Sequence, residues 1–317
     1  MENFKLAKYK FEITSEEKII LPIYKGSTLR GGFGQIFKMI FCLNKEKNCE
    51  RCFLKEKCIY TYLFDTITLK NNETTMRNFS SIPRPFIIEP PIDSKKEYDE
   101  NENLNFNLIL IGNAIEYLHY FIYAFQKLGK AGIGKNRGKY ILKSVESIGL
   151  KKNSVIYSER DNIFNNDYRI ISFKDFLKIY PNVSKNEISL KFITPTRIKY
   201  KERLTDNLEF SVFIINLLRR ISLLSFFHCN EEIKKNDVKQ LIEKAKEIKT
   251  LKKDLQWYDW ERYSNRQHSW IKLGGFLGDI TFKGDLLKEF LPYIFLGNYI
   301  HIGKGATFGL GKYEIMS

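Results

Sequence analysis

The sequence predicts an α+β protein made of two tandem ferredoxin-like domains, the first carrying a cysteine-rich loop. Three observations lead there. Segments of alternating apolar residues and segments of helical period follow one another as strand, helix, strands, helix, strand, and they do so twice. The chain has 317 residues and is 43% hydrophobic, enough for two cores. Residues 150–185 are polar with only weak elements, so the domains are expected at 1–165 and 166–317. The two halves share element order but no sequence repeat.

In the first half, Tyr9-Lys10-Phe11-Glu12-Ile13-Thr14 alternates apolar and polar residues and reads as a strand. Leu21-Pro22-Ile23-Tyr24 leads to a turn at Lys25-Gly26, and Ser27 is the expected cap of a helix over about Leu29 to Phe41. Gly31, Gly32 and Gly34 weaken that helix but let another group approach its backbone. A cysteine-rich loop and a proline-punctuated stretch (Pro83-Arg84-Pro85-Phe86 to Pro90-Pro91) follow, then an acidic surface loop at 93–105. Phe106 to Ile111 reads as a buried strand. Asn113 to Leu128 reads as a helix, with Ile115, Leu118, Ile122 and Phe125 on one face and Gly129 as its stop. A Gly- and Lys-rich loop, 130–139, feeds a strand at 140–148.

In the second half, Ser189 to Thr194 reads as a strand ending at Pro195. Phe210 to Phe227 reads as a helix. Glu231 to Lys249 is a charged helix with a solvated face. Ile271 to Phe282 is a glycine-interrupted strand, and Leu286 to Phe295 a short helix. Tyr299 to Ile302 and Thr307 to Ile315 are the last two strands.

Fifty-two Lys and Arg against 37 Asp and Glu leave a net charge of +15. That excess points to a polyanionic partner, nucleic acid first and a membrane surface second. A Lys-, Asn- and Ile-rich proteome raises the charge by itself, and this plainer account stands beside the first. No apolar run approaches the roughly 18–20 residues that span a bilayer, and the opening Met1-Glu2-Asn3-Phe4-Lys5 is no secretory signal. No membrane partner and a cytoplasmic location are expected. The five cysteines are then reduced thiols rather than disulfides.

Four of them, Cys42, Cys49, Cys52 and Cys58, have the spacing C-x6-C-x2-C-x5-C. A two-residue gap turns two thiolates toward one ion, and two more sulfurs complete a tetrahedral shell. Lys45, Lys47, Arg51, Lys55 and Lys57 favour the thiolate forms. A structural zinc is the default and an iron–sulfur cluster the alternative; four thiols that merely pack or face solvent are the plain reading. Cys229, after an apolar helix, reads as a buried thiol.

The run Gly303-Lys304-Gly305-Ala306-Thr307-Phe308-Gly309-Leu310-Gly311-Lys312 is not a P-loop: Gly297 is misplaced, and Gly305 stands where Ser or Thr should meet magnesium. Gly132-Ile133-Gly134 follows a helix and lacks the third glycine of a dinucleotide fingerprint. Two readings remain for these loops. Bare amides with Lys135, Arg137, Lys304 and Lys312 could cradle phosphates, or the glycines could simply serve turns. Trp257 to Trp270 interleaves aromatics with Arg262, Arg266 and His268, and Lys272 follows. Such a segment suits stacking on unpaired bases and pairing with phosphates, or the covering of a core. Arg197 is a further basic position. Arg219-Arg220, inside an apolar helix, suit internal ion pairs.

Taken together, several motifs resemble a known family. Arg30-Gly31-Gly32-Phe33-Gly34, the cysteine loop ending in Tyr62-Leu63-Phe64-Asp65, and Pro83-Arg84-Pro85-Phe86 come first. Thr194-Pro195-Thr196-Arg197, Arg262-Tyr263-Ser264-Asn265-Arg266-Gln267, Gly274-Gly275-Phe276-Leu277-Gly278 and the glycine-rich ending follow. In this order they resemble the CRISPR precursor-crRNA-processing endoribonucleases of the RAMP superfamily, over about residues 25–315. The resemblance implies tandem ferredoxin-like (RAMP/RRM-like) domains, a glycine-rich loop beside bound RNA, metal-independent cleavage of CRISPR repeat RNA in antiviral defence, and association with other subunits of a guide-RNA complex.

The chemistry follows from RNA itself. The 2′-hydroxyl attacks the adjacent phosphate in line, a base takes its proton, an acid protonates the leaving 5′-oxygen, and cations stabilise the crowded phosphate. Products are a 2′,3′-cyclic phosphate and a 5′-hydroxyl, and no catalytic cofactor is needed. His119 and His228 read as structural. His301 is the expected general acid or base, with Lys304 on the phosphate and Tyr24 and His268 as further candidates. Arg30, Lys135, Arg137, Arg197, Arg262, Arg266, Lys272 and Lys312 are the expected RNA contacts. Many relatives carry a histidine near the first helix; residues 15–41 hold none, leaving Tyr24, Lys25 and Arg30 there. A non-catalytic RAMP subunit that only holds RNA is the alternative.

Overall fold

A computed structural model describes residues 1–44, 48–49, 51–65, 82–161, 163–179, 186–200, 203–264 and 269–316. Two compact units divide it. One comprises Lys5–Ile171 with Phe227–Cys229; the other comprises Met1–Phe4, Ser172–Phe226 and Asn230–Ser317.

The first unit begins with β1 (Lys5–Ser15), whose Tyr9, Phe11 and Ile13 are buried between half-exposed polar residues. β2 (Ile19–Ile20) and α1 (Gly26–Phe41) follow, then a π-helical turn at Thr61–Asp65 and β3 (Phe86–Glu89). β4 (Glu97–Tyr98) pairs with β2. β5 (Asn103–Ile111) leads through a 3-10 turn at Gly112–Tyr117 into α2 (Leu118–Ala131), β6 (Tyr140–Ile148), β7 (Ser154–Ser158), β8 (Ile163–Phe164) and β9 (Ile170–Ser172). The sheet runs β3-β5-β1-β6-β7-β8, with β9 also paired to β1. β1, α1, β3, β5, α2 and β6 thus form a split βαβ unit whose second strand lies at one side and whose first and third lie together.

The two helices cover one face. Phe33 of α1 stacks on Phe121 and Phe125 of α2, with centroids 4.7 and 5.0 Å apart. The helical glycines serve this packing: a Cβ on Gly32 would meet Leu128 at 3.0 Å, and one on Gly34 would meet Phe64 at 3.0 Å. The close approach is made by the protein's own core. The expected Ser27 cap is not used. Lys25 is the N-cap residue, without a side-chain capping bond.

The second unit contains α3 (Phe173–Ile179), β10 (Glu187–Thr196), and the ribbon β11 (Ile198–Tyr200) with β12 (Arg203–Thr205). α4 (Phe210–His228) and α5 (Lys235–Ala245) follow, then β13 (Lys249–Tyr258), the hairpin β14 (Glu261–Ser264) and β15 (Ser269–Lys272), and β16 (Gly275–Lys283). A 3-10 turn at Asp285–Phe290, α6 (Leu291–Ile300) and β17 (Tyr313–Met316) complete it. The antiparallel sheet runs β13-β16-β10-β17. This is the strand order of the first unit again, so both units are ferredoxin-like.

Several elements differ from the sequence reading; the strand expected over 271–282, for one, is divided between β15 and β16. Residues 299–302, expected as a strand, are the end of α6 and the turn after it. This helix is apolar on all sides and is mostly buried, which hides its period. Residues 307–315 are a short 3-10 turn, glycine turns and only then β17. β13 was not foreseen: most of its residues are exposed on both faces, so it lacks the period-2 signal. α4 is also long and apolar enough to span a bilayer by length and composition, contrary to the expectation that no run approaches that length, yet most of it is buried in the protein.

Candidate nucleic-acid interface

The second unit gathers the C-terminal motifs at one end of its sheet. α6 stops at Ile300, whose carbonyl accepts a hydrogen bond from Arg220 Nε at 2.9 Å. The glycine-rich loop then folds back on the end of β10. Lys304 N–H donates to Arg197 O (3.0 Å), Gly311 N–H to Pro195 O (3.2 Å) and Ile302 N–H to Gly311 O (2.9 Å). Thr194 Oγ1 donates to Gly309 O (3.0 Å) and accepts from Lys312 N–H (2.8 Å). Gly303 and Gly311 have φ of +79° and +74°. A Cβ would lie 2.4 Å from Arg197 O at Gly303 and 1.8 Å from Ile302 O at Gly311. These glycines serve turns and backbone packing, and the amides of Ile302, Lys304 and Gly311 are spent on the fold instead of cradling phosphates.

His301 does not sit on a strand as expected. It caps α6 at φ +60° and is fully buried, with Nδ1 3.0 Å from Leu310 O. With a carbonyl as its partner, Nδ1 carries the proton, so the ring pins the glycine-rich loop from inside. An acid–base role would need that loop to move. Lys304 is exposed on the loop, and Lys312 is half-buried beyond it. Arg197 is half-buried, its Nε makes no hydrogen bond, and burial pulls its pKa below the usual range. Arg220 lies deeper; burial lowers it to about 10, and Nη2 is left without a hydrogen bond. The expected internal ion pair is therefore absent from Arg220 among the described residues.

Strand register brings aromatics to the same end. Trp257 is opposite Phe276, and Phe276 is opposite Thr196. Two strand spacings, about 10 Å, thus separate Trp257 from the residue before Arg197. Trp257 and Tyr258 are exposed, with Trp257 Nε1 donating to Asp259 at 2.7 Å. Arg262 and Lys272 are opposed on the β14–β15 hairpin only through their neighbours: Arg262 pairs with Ile271, and Glu261 with Lys272. Arg266 and His268 lie outside the described residues.

The first unit treats its candidates differently. Burial, then the Glu89 charge, push the Tyr24 phenol far above its ordinary pKa. Lys25 is fully buried, with Nζ bonded to Asp93 Oδ1 (2.8 Å) and to the carbonyls of Ile23 and Asp93 (3.2 Å each). Arg30 lies over the rings of Phe64 and Phe86, at 5.1 and 6.0 Å. Arg84 Nε donates to Phe64 O at 2.6 Å. The three N-terminal motifs are thus one packing node, and Arg30 spends its charge on aromatic faces. Lys135 and Arg137 are exposed on a turn docked by Lys135 N–H to Ile20 O (2.9 Å). His228 is buried between Pro83 O (2.8 Å) and Tyr62 Oη (3.3 Å), as expected of a structural histidine. His119 is exposed, its ring against Tyr120, and so is not the packed residue foreseen. Cys42, Cys49, Cys52 and Cys58 are half-buried, Cys229 is buried, and none of the five is in a disulfide. Among the described residues no three His, Cys, Asp or Glu side chains are grouped to hold a metal ion.

Residues 190–313 match the family model of the CRISPR-associated endoribonuclease Cas6, and residues 4–168 match an N-terminal domain model, AF_1859_N. Residues 190–313 are thus a Cas6 domain. An uncharacterized protein of Archaeoglobus fulgidus is 24% identical over 298 residues, 94% of this chain and 93% of that one. A product complex of a Thermus thermophilus Cas6 shares the fold at a TM-score of 0.58 and 14% identity, covering 98% of this chain and 99% of that one. A partial Cas6-RT-Cas1–Cas2 complex gives the same score and identity over 99% of this chain and 46% of its own. In this chain the motif residues build two scaffolds, one around Phe33 and Phe64 and one around the glycine-rich loop. Sequence reasoning singled out the Trp257–Trp270 segment but did not place its Trp257–Tyr258 end in the second; strand register does.

Proposed function

We propose that this chain binds CRISPR repeat RNA and cuts it without a metal ion, through attack of the ribose 2′-hydroxyl on the neighbouring phosphate. The match of residues 190–313 to the Cas6 endoribonuclease model supports the repeat-processing role. The observation that carries the RNA contact is the end of the second sheet. There an arginine with an unsatisfied Nε, an exposed lysine on a rigid glycine loop and two exposed aromatics lie together. Arg197 and Lys304 neutralise phosphate, while Trp257 and Tyr258 offer faces for unpaired bases. Lys304 stabilises charge on the cleaved phosphate, and His301 holds the loop that carries it. Other CRISPR subunits, as in the Cas1–Cas2 assembly of a structural relative, are partners of the same class.

A second reading has its own observation. Two of the four histidines are buried against carbonyls and residues 15–41 contain none, which favours a member that holds RNA without cutting it. Purified protein incubated with repeat RNA in EDTA decides between them. Cleavage leaving a 2′,3′-cyclic phosphate, abolished by a 2′-deoxy substitution at the cut site, establishes the enzyme. Tight, repeat-selective binding with intact RNA establishes the holder. Absence of selective binding removes both.

A further inference from the structure

We propose that Arg220 and Arg197 form a socket for one phosphate group of the bound RNA, which supplies a counter-charge that neither arginine has in the free protein. The proposal rests on the RNA-binding reading above and extends it to Arg220, a residue inside an apolar helix. The neighbours of Arg220 on α4 belong to the core: Leu217, Leu218, Ile221 and Leu224 are buried. Its Nε donates to Ile300 O at 2.9 Å, but Nη2 is sealed from solvent without a partner. A guanidinium keeps its charge near neutrality, and a charge taken out of water is costly unless it is paired. A carboxylate at Nη2 would remove that cost within the fold. Instead, burial alone displaces the Arg220 pKa, and no acidic group opposes it. Arg197 repeats the pattern, with Nε sealed and unbonded and burial again acting alone. The chain has 37 Asp and Glu to draw on, yet gives neither arginine an acidic partner. A counter-ion that arrives with the ligand accounts for both.

The backbone brings the two residues to one place. Ile300, which holds Arg220, lies three residues before Gly303, where a Cβ would meet Arg197 O at 2.4 Å. Lys304 N–H donates to the same oxygen at 3.0 Å. One turn earlier on α4, Asn216 Nδ2 donates to Lys199 O at 3.2 Å, two residues after Arg197. α4, the end of α6 and the start of β11 are thereby fastened together beside the two arginines. Both arginines are half-buried rather than fully enclosed, so the pair borders solvent. Phosphate fits this pair because it is compact and anionic, and its oxygens accept the forked N–H donors that a planar guanidinium presents. Seated there, it satisfies the orphaned donors. Through Arg220 Nε and Ile300 O it also steadies the point where the glycine-rich loop leaves α6.

Repeat RNA carrying one uncharged methylphosphonate, placed at each position in turn, is bound to the full-length protein and to its Arg220→Met and Arg197→Met variants. One position should weaken binding to the unaltered protein about tenfold. The same position should leave both variants almost unaffected, because each has already lost its share of the contact. Since Arg220→Met also removes the bond to Ile300 O, the unaltered protein is melted in pyrophosphate and in sodium chloride of equal ionic strength. An excess rise in melting temperature with pyrophosphate, missing from Arg197→Met, is expected. If repeat RNA binds selectively but no position is silenced in either variant, or pyrophosphate stabilises no more than chloride, the socket is refuted while the RNA-binding reading stands. Failure of repeat RNA to bind selectively is a different result, which removes that reading and the socket with it.

Discussion

Gly311→Ala tests what the glycine-rich loop is for. If its glycines let RNA approach, alanine weakens RNA binding and leaves the free protein unchanged. The structure predicts the reverse order of effects. Gly311 has φ +74°, a conformation that costs an alanine roughly 1–2 kcal/mol. Its new Cβ would lie 1.8 Å from Ile302 O, a backbone atom that cannot swing away. The loop must shift, straining the bonds from Ile302 N–H to Gly311 O and from Gly311 N–H to Pro195 O, each worth about 1 kcal/mol. The total is about 3 kcal/mol, or roughly 6–12 °C in the melting temperature of a domain this size. Thermal unfolding followed by circular dichroism, without RNA, measures it. Gly31→Ala is the matched control: it is helical with open space around it, so alanine should stabilise by about 0.5–1 kcal/mol. A Gly311→Ala melt within about 2 °C of the parent protein would show that the loop is not the backbone clamp described.

Arg197→Ala should weaken repeat-RNA binding about tenfold and lower the slope of log K against log salt by about 1, with little change in stability, as expected for one lost phosphate contact; an unchanged slope in a filter-binding salt series refutes it. For the Lys25–Asp93 pair, with side chains 0% and 46% exposed, Asp93→Asn strands a buried ammonium and should cost about 3 kcal/mol. Lys25→Met frees a carboxylate that water can reach and should cost less; urea unfolding giving the opposite ranking sinks this argument. Burial opposes ionisation of Asp175, but hydrogen bonds from the Ser172 backbone and hydroxyl at the start of α3 outweigh it and hold its pKa below the usual value. The native contact therefore adds stability above the ordinary carboxylate range and loses it as pH falls through the lowered value; Asp175→Asn should flatten that acid limb in a pH series of melts, and an unaltered limb refutes the assignment.

The strand order of both units was legible where one face is buried and the other wet. β1 shows this plainly: Tyr9, Phe11 and Ile13 alternate with Lys10 and Glu12, and the two helices keep apolar faces. Legibility failed where burial is uniform. α6 is apolar throughout, so Tyr299-Ile300-His301-Ile302 looks like a strand although the helix continues to Ile300. β13 fails the other way, since Lys252, Lys253, Asp254 and Gln256 are all exposed. For the candidate site, residue type put Arg197 and Lys304 forward but could not distinguish an accessible cation from Arg30, which lies over two phenylalanine rings, or Lys25, closed off by three oxygens.

The same distinction bears on catalysis. A histidine in a glycine-rich C-terminal run invites an acid–base role, because its ordinary pKa suits one. Here the surrounding positive-φ glycines bring backbone against backbone, and the carbonyl thereby delivered to His301 is that of Leu310. The geometry that makes the loop rigid also encloses the imidazole. On the proposed reading, rigidity serves the chemistry: Lys304, whose amide donates to Arg197 O, would be positioned before RNA arrives, so less ordering entropy would be lost on binding. If His301→Asn, which can keep the bond to Leu310 O, preserves cleavage while His301→Ala loses stability and cleavage together, the ring is a structural pin; loss of cleavage in a stably folded His301→Asn protein would return it to the proton-transfer step.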